Sequence, residues 1–153
     1  MHVRLIAVGK LREPYLAAAV ADFRTRLGPY HRLEEIEIRA ADGAQPERST
    51  ASEGAAILRV LAPSDVVWLL DREGTEFSSI ELSERIERYA VDGVSALTFI
   101  IAGTYGASAA VRARANVRWS LSRLTFLHEW ARALVLEQLY RAAKIARGEP
   151  YHH

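Results

Sequence analysis

The chain has 153 residues, half of them hydrophobic and a quarter charged, with 20 Lys and Arg, 19 Asp and Glu, and no cysteine. This length and composition indicate one globular domain over residues 1–153, and they exclude a disulfide framework and a cysteine-ligated zinc site. No apolar run is long enough for a secretory signal or a membrane span, so we expect a cytoplasmic protein.

The net charge of +1 conceals an asymmetry along the chain. Residues 1–102 hold 12 basic against 16 acidic residues, whereas residues 103–153 hold 8 basic against 3 acidic ones. A basic segment of this kind suits the phosphate groups of a nucleic acid, but an arginine-rich helix with one solvated face gives the same count. Charge alone leaves both interpretations open.

The first 40 residues predict a strand, a helix and a second strand. Residues 3–8 are apolar and rich in β-branched side chains, which indicates a buried strand. Residues 14–27 begin with a proline suited to a first helical turn and carry apolar side chains at helical spacing. Residues 33–40 alternate isoleucine with acidic residues, which is typical of an edge or half-exposed strand.

A loop, a helix and a central strand follow. Residues 41–52 are small and polar and contain glycine and proline, so we expect a surface loop there. Residues 53–61 predict a helix that ends before Pro63. The uninterrupted apolar run within residues 65–71, bounded by aspartates, is typical of a central parallel strand.

The second half of the chain continues this alternation. Ser78 and Glu81 have the spacing of a capping box at the start of a helix that runs to Tyr89. An apolar strand then leads into a glycine loop at residues 103–106. Strands that alternate with helices, several of them apolar on both faces, predict an α/β sandwich on a mostly parallel sheet.

Ligands bind such sheets beyond the carboxyl ends of the strands, so three strand ends form the candidate site. They are Leu70–Asp71, Ala102–Gly103 and the turn of residues 121–126. The GTYG loop lacks the spacing of a dinucleotide or Walker-type phosphate loop, and its two glycines indicate either a close backbone approach to a flat ligand or a plain turn.

No pattern of a nucleophile, a paired carboxylate or a metal site stands out in the sequence. Arg132 occupies the position where the second histidine of an HExxH zinc motif would stand, so we expect no metal. The absence of an evident nucleophile favours a reaction in which the positioning of reactants does most of the work.

The last predicted helix, residues 128–147, is apolar over more than one stripe. Its apolar side chains are Trp130, Leu134, Val135, Leu136, Leu139, Tyr140, Ala143 and Ile145. One stripe can pack on the sheet and the other on a second subunit, which favours a homodimer, although a fully buried terminal helix with arginine side chains reaching solvent gives the same pattern. In a dimer, Arg132, Arg141, Lys144 and Arg147 would line a groove.

Several stretches resemble the bacterial 23S rRNA pseudouridine N3-methyltransferase family of the SPOUT, or α/β-knot, superfamily. They are IAVGKLREPYL at 6–16, GTYG at 103–106, SLSRLTF at 120–126 and EQLYRAAKIARGEPYHH at 137–153. The resemblance covers the chain from end to end, and the C-terminal stretch is its most specific part. It implies an α/β fold whose C-terminal segment forms a deep trefoil knot, a topology that is rare among proteins, and a homodimer whose subunits both contribute to each site.

The resemblance also implies a cofactor and a substrate. The cofactor is S-adenosylmethionine, held in a bent form by the knot loops, and the substrate is a pseudouridine in the helix 69 loop of 23S rRNA in the assembled ribosome. The cofactor contacts carry over to Leu70, Ala102, Gly103, Gly106, Leu121, Ser122, Arg123, Leu124, Thr125 and Phe126.

Three departures from the family pattern bear on the site. Ala102 stands where the family usually has the first of two glycines, and its methyl group either crowds the cofactor or packs beneath the loop. The triplet at residues 127–129 is Leu-His-Glu where Pro-His-Gln or a similar triplet is usual, which frees the entry to the last helix and puts an acid near the site. His153 replaces a common Lys or Arg.

Methylation of a pseudouridine at N3 requires that the N3 proton leave before or during transfer, and a general base contributes about 10²–10⁴-fold to such a step. The candidate bases are His128, Glu129, Tyr151 and His152. We expect the tail of residues 151–152 to reach the target base, and we expect Arg132, Arg141 and Lys144 to bind RNA. Two alternatives remain open: a knot-fold methyltransferase acting on another RNA, and a non-catalytic ribosome- or RNA-binding protein on the same scaffold.

Overall fold

The computed structural model describes residues 1–41 and 45–153. Within these ranges, five strands alternate with five helices. In chain order they are β1 (His2–Val8), α1 (Pro14–Leu27), β2 (Arg32–Ile38), α2 (Pro46–Val60), β3 (Val66–Glu76), α3 (Ser79–Val91), β4 (Ala96–Ile101), α4 (Ala109–Arg114), β5 (Val117–Ser120) and α5 (His128–Ala146).

The strands form one sheet in the order β2-β1-β4-β3-β5, and every adjacent pair is parallel. The predicted α/β class, with a parallel sheet flanked by helices, is confirmed. β2 lies at one edge of the sheet, as its alternating pattern predicts, and β3 has neighbours on both sides. The C-terminal trefoil knot and the single-domain organisation stay predictions.

Both faces of the sheet are covered because the inner strands are apolar on both sides. β4 is buried at all of its positions. Side chains from α1, α3 and α5 pack on one face, against alternate residues of β1 such as Leu5, while α2 and α4 pack on the other face, against Ile6 and Val8. This two-sided burial explains why the strands read as nearly continuous hydrophobic runs.

An aromatic cluster fills the core near β3. The ring of Trp68 has centroids of four other rings within 5.4–6.2 Å, and its indole nitrogen donates a hydrogen bond to the hydroxyl of Tyr89 at 3.1 Å. The other three rings are Phe77, Phe99 and Trp119. Trp68 and Phe99 are fully buried, so this cluster ties β3, β4 and β5 into one rigid platform.

The structure differs from the sequence predictions at two boundaries and in one additional helix. The loop predicted over residues 41–52 is wrong from residue 46 onward, because α2 begins at Pro46, a residue suited to a first helical turn; residues 42–44 lie outside the described residues. β3 continues to Glu76, past its predicted end at residue 71. α4 was not predicted, since a six-residue helix is too short to show a periodic pattern; the hydroxyl of Ser108 caps it by accepting from the Val111 amide at 3.2 Å.

The other helix predictions agree with the structure. The Ser78 hydroxyl accepts from the Glu81 amide at 3.1 Å and the Glu81 carboxylate accepts from the Ser78 amide at 2.7 Å, so the capping box is confirmed. α5 ends one residue before its predicted end. In the parts of the chain that the structure describes, no helix is long and apolar enough to cross a bilayer.

Candidate functional site

A pocket of about 410 Å³ opens at the carboxyl edge of the sheet. Its walls come from three segments: residues 70–72 of β3, residues 101–106 at the end of β4, and residues 119–128 from β5 to the start of α5. Parallel sheets bind ligands at this edge, and the volume lies within the range of about 300–1,000 Å³ that is usual for small-molecule sites.

The predicted cofactor positions converge on this pocket. Nine of the ten line it, namely Leu70, Ala102, Gly103, Gly106, Leu121, Ser122, Leu124, Thr125 and Phe126, and Arg123 does not. Further residues that line the pocket were not predicted from the sequence, among them Trp119 and Ala131. An aromatic residue in a strand or an alanine in a helix has the pattern of a core residue. The role of these positions as cofactor contacts stays a prediction.

The glycine loop forms a tight turn in the pocket wall. The Gly106 amide donates to the Gly103 carbonyl at 3.0 Å, and Gly106 has φ +82°, which favours glycine. At Gly103 the reason is space: a Cβ there would lie 2.8 Å from Glu53 Oε1 and 3.1 Å from Val8 Cγ1. The loop is therefore a turn whose backbone is fixed from behind by packed side chains.

A buried carboxylate stands behind this loop. Glu53 of α2 is 7% exposed, and its Oε2 accepts from the Ala41 amide at 3.0 Å. The adjacent Gly54 has no room for a Cβ because the Ser108 side chain lies against it. Residues 53–54 thus support both ends of the segment 103–108, a role that periodicity along α2 does not reveal.

Polar contacts hold the third wall. The Ser120 hydroxyl donates to the Ser122 carbonyl at 3.0 Å, and the Leu124 amide donates to the Ser122 hydroxyl at 3.1 Å. Arg72 of β3 donates to the Thr125 hydroxyl at 2.8 Å, which joins the first wall to the third. The turn of residues 121–126 is therefore shaped before any ligand binds.

Among the candidate bases, His128 lies at the pocket. It is the first residue of α5 and lines the wall. Its ring packs on the backbone of Gly9, where a Cβ would lie 2.9 Å from Nε2. Within the described residues this buried Nε2 has no hydrogen-bond partner.

Glu129 turns away from the pocket and caps a different helix. Its carboxylate accepts from the amides of Arg12 and Glu13, the latter at 3.0 Å, at the start of α1. The amide of Glu13, then that of Arg12, lowers the pKa of Glu129 by stabilising the carboxylate. A carboxylate with a lowered pKa and two amide partners is a weak proton acceptor, and no local pattern signals this long-range cap.

The predicted tail residues fold back on α5. The Tyr151 hydroxyl donates to Glu137 Oε1 at 3.0 Å, and its ring meets that of Tyr140 with centroids 4.8 Å apart. Burial, then the hydrogen bond to Glu137, raises the pKa of Tyr151. His152 Nδ1 lies 3.2 Å from a guanidinium nitrogen of Arg141. Neither tail residue lines the pocket of its own chain.

The three cations predicted to bind RNA are paired with glutamates of the same chain. Arg132 is 3% exposed, with Glu37 at 2.8 Å and Glu35 at 3.7 Å. The other two bind acids on α5 or just beyond it: Arg141 donates to Glu137 and Lys144 pairs with Glu149. A hydrogen bond from Lys144 to Glu149 raises the lysine's pKa. Because Arg132 is buried and paired, its guanidinium has no exposed surface at which a phosphate could bind.

A fully parallel sheet with a preformed, largely apolar pocket at its carboxyl edge defines an α/β domain that binds a small organic ligand. The family model described as "Predicted SPOUT methyltransferase" matches residues 1–152, and the chain belongs to that family. The resemblance read from the sequence and the expected enzyme class, a methyltransferase, are confirmed.

Relatives match along their full lengths. A protein of Desulfitobacterium hafniense (strain DSM 10664 / DCB-2) named "Ribosomal RNA large subunit methyltransferase H" is 44% identical over 160 residues, covering 99% of each chain. A protein of Gloeobacter violaceus with the same name is 44% identical over 153 residues, covering 100% of this chain and 99% of the relative. The solved SpoU methyltransferase AviRb from Streptomyces viridochromogenes, in complex with AdoMet, aligns at a TM-score of 0.46 with 13% identity, over 97% of this chain and 61% of that one, a likeness too remote to support an argument.

Proposed function

We propose that the chain is an S-adenosylmethionine-dependent methyltransferase that methylates N3 of a pseudouridine in the helix 69 loop of 23S rRNA, on the assembled ribosome in the cytoplasm. The observation that carries the proposal is the convergence of nine of the ten expected cofactor positions on one pocket. The names of the full-length relatives support large-subunit rRNA as the class of substrate.

The residues present fit the cofactor. Leu70, Trp119 and Leu121 give the pocket apolar walls suited to a flat purine ring, and the backbone of the 102–106 loop supplies polar groups beside them. Ala102, which replaces the first of the two usual glycines, also lines the pocket. When bound, the cofactor supplies a methyl group carried on a sulfonium, and the chain's residues position the acceptor and take up one proton.

His128 is the proton acceptor that the pocket supports best, since of the four candidates it alone lines the wall. Its ring packs on the backbone of Gly9, which fixes its place in the wall, and a neutral imidazole has one nitrogen that can accept a proton. We assign Glu129 to structure, because its carboxylate caps α1. Tyr151 and His152 would act on the pocket of a second subunit.

A homodimer is part of this proposal. Large apolar side chains are exposed beside the pocket mouth: Leu124 is 70%, Leu127 66% and Trp130 43% exposed. The Trp130 ring packs at a tilt against Tyr15, itself 58% exposed, with centroids 5.9 Å apart. Exposed apolar side chains of this kind favour association, and the family resemblance implies that a second copy contributes to each site.

Titration calorimetry of the purified chain with S-adenosylmethionine tests the proposal. We expect saturable binding that His128→Gln leaves intact while it lowers the rate of ribosome methylation by about 10²-fold or more. Absence of cofactor binding with and without ribosomes would overturn the enzyme assignment. Cofactor binding with methylation of tRNA but not of ribosomes would retain the enzyme and replace the substrate.

A further inference from the structure

Phosphate recognition requires cations that are exposed and near the pocket, and those of α5 do not meet both conditions. Arg132 is buried between two glutamates. Arg141 is hydrogen-bonded to Glu137, and Lys144 forms an ion pair with Glu149. A cation already paired with a carboxylate gains little from phosphate because the first partner must be lost. The cations that meet the RNA must therefore be sought at the pocket mouth.

We propose that Lys10, Arg72 and Arg123, here called the mouth cations, hold the phosphodiester backbone of the RNA substrate around the pocket. This inference rests on the proposed function, because it names the surface by which that RNA is held. All three side chains are exposed. Each belongs to a segment that leaves the carboxyl edge of the sheet: Lys10 after β1, Arg72 after the apolar part of β3, and Arg123 after β5.

Arg72 and Arg123 flank the same opening. Arg72 lines the pocket, and its hydrogen bond to the Thr125 hydroxyl at 2.8 Å holds the guanidinium in place while its other N–H groups remain available. Arg123 lies between the lining residues Ser122 and Leu124, and the described part of the chain offers it no ion pair. An arginine fork held in this way suits a phosphodiester.

Lys10 follows the strand end that lies against the start of α5. It follows Gly9, whose backbone packs on the His128 ring, so it stands next to the pocket wall that carries the proposed base. It has no ion pair within the described residues either. Lysine binds phosphate as a point charge, which tolerates the variable geometry of a single-stranded loop.

Two of the acids at this edge are engaged by other partners. Asp71 pairs with Arg118 at 3.2 Å, and Glu129 is held by the α1 amides. Glu73, next to Arg72, and Glu13, three residues after Lys10, are exposed acids that oppose the mouth cations. Since exposed charges act over about a Debye length, roughly 8–10 Å at moderate salt, we expect Lys10 and Arg123 to give the clearer effects.

Ribosome binding as a function of salt tests the inference, with the full chain and purified ribosomes. A phosphate contact contributes about 0.7–0.9 to the slope of log affinity against log salt. We expect Arg123→Ala and Lys10→Ala each to weaken binding about threefold to tenfold at low salt and to lower that slope by about one contact. S-adenosylmethionine affinity should be retained in Lys10→Ala, and also in Arg123→Ala, because Arg123 is the one predicted cofactor position that does not line the pocket.

Arg59→Ala is the matched control. Arg59 is exposed near the end of α2, just before β3 begins, and so lies toward the amino edge of the sheet, opposite the pocket. It should bind ribosomes with the wild-type slope. Wild-type slopes in both Arg123→Ala and Lys10→Ala would overturn the inference, as would a slope lowered by Arg141→Ala alone. Loss of cofactor binding by the unmodified chain would instead refute the proposed function.

Discussion

Gly103 is the residue on which the shape of the pocket depends most closely. A Cβ at this position would meet Glu53 Oε1 at 2.8 Å and Val8 Cγ1 at 3.1 Å, so the loop or the carboxylate must move. We expect Gly103→Ala to weaken S-adenosylmethionine binding by about tenfold or more, equivalent to about 1.4 kcal/mol, as measured by calorimetry.

The control for this change is Gly93→Ala. Gly93 has φ +74°, and a Cβ added there would have no neighbouring atom within 4 Å, so alanine strains the backbone without touching the pocket. It should lower the Tm and leave the cofactor affinity unchanged. Wild-type affinity in Gly103→Ala would show that the loop is not held as the structure indicates.

Substitution of Glu129 tests whether its carboxylate has a structural or a catalytic role. Because the amides of Glu13 and Arg12 lower its pKa in the folded state, the carboxylate stabilises the fold above its unfolded pKa, near the ordinary value of 4.5. That stabilisation is lost as the pH falls through the lowered folded pKa. We expect Glu129→Gln to lower the Tm at pH 7. The difference in Tm between this variant and the wild type should disappear at acid pH.

The methylation rate at saturating substrates should be close to wild type in Glu129→Gln at 25 °C. Glu84→Gln, an exposed change on α3, should affect neither Tm nor rate. A rate lost without any change in Tm would return Glu129 to the candidate bases.

For single residues, the sequence identifies candidate positions but not the residues that they contact. The glycine spacing at 103–106 predicts a turn, yet Glu53, which fixes that turn, lies about 50 residues earlier and reads as an ordinary helical acid. Glu129 stands beside the predicted site in sequence, but its hydrogen bonds go to a helix start 116 residues away. Contacts of this range follow from tertiary packing and leave no periodic signal.

α5 carries a buried apolar surface and an exposed one, and we expect substitutions on the two surfaces to have different effects. Leu136 is fully buried against the sheet side, whereas Trp130 is 43% exposed beside the pocket mouth. We expect Trp130→Ala to shift the chain from dimer to monomer in light scattering with little change in Tm, because an exposed ring contributes to association rather than to the core.

Leu136→Ala serves as the contrast. Removing a fully buried leucine costs about 2–5 kcal/mol of folding stability, so its Tm should fall while the folded fraction keeps the dimer mass. A monomeric wild-type chain would refute the homodimer, and an unchanged mass in Trp130→Ala would place the interface elsewhere.

Element types are predictable where the pattern is long enough. α3 follows from its capping box and apolar spacing, α5 from its apolar stripes, and β4 from an unbroken apolar run. The start of α2 is obscured because its first turns are small and polar, the composition of a loop, and its helical state depends on packing of residues such as Ser49, which is 2% exposed. Tertiary burial overrides local composition there.

For the whole molecule, the sheet order brings distant segments to one edge. β4 lies between β1 and β3, so the ends of β1, β4, β3 and β5 and the start of α5 meet around the pocket. The alternation of elements predicts a parallel sheet but not this order, and a knot is a property of the chain path that no periodicity encodes. The family resemblance implies the knot.

The measurement that tests the central claim most directly is methyl transfer from labelled S-adenosylmethionine to ribosomes that lack the modification, with the labelled nucleotide identified by mass spectrometry. We expect stoichiometric methylation of a pseudouridine in the helix 69 loop, strongly reduced in His128→Gln and in Gly103→Ala. Saturable cofactor binding without any transfer to large-subunit RNA would contradict the account.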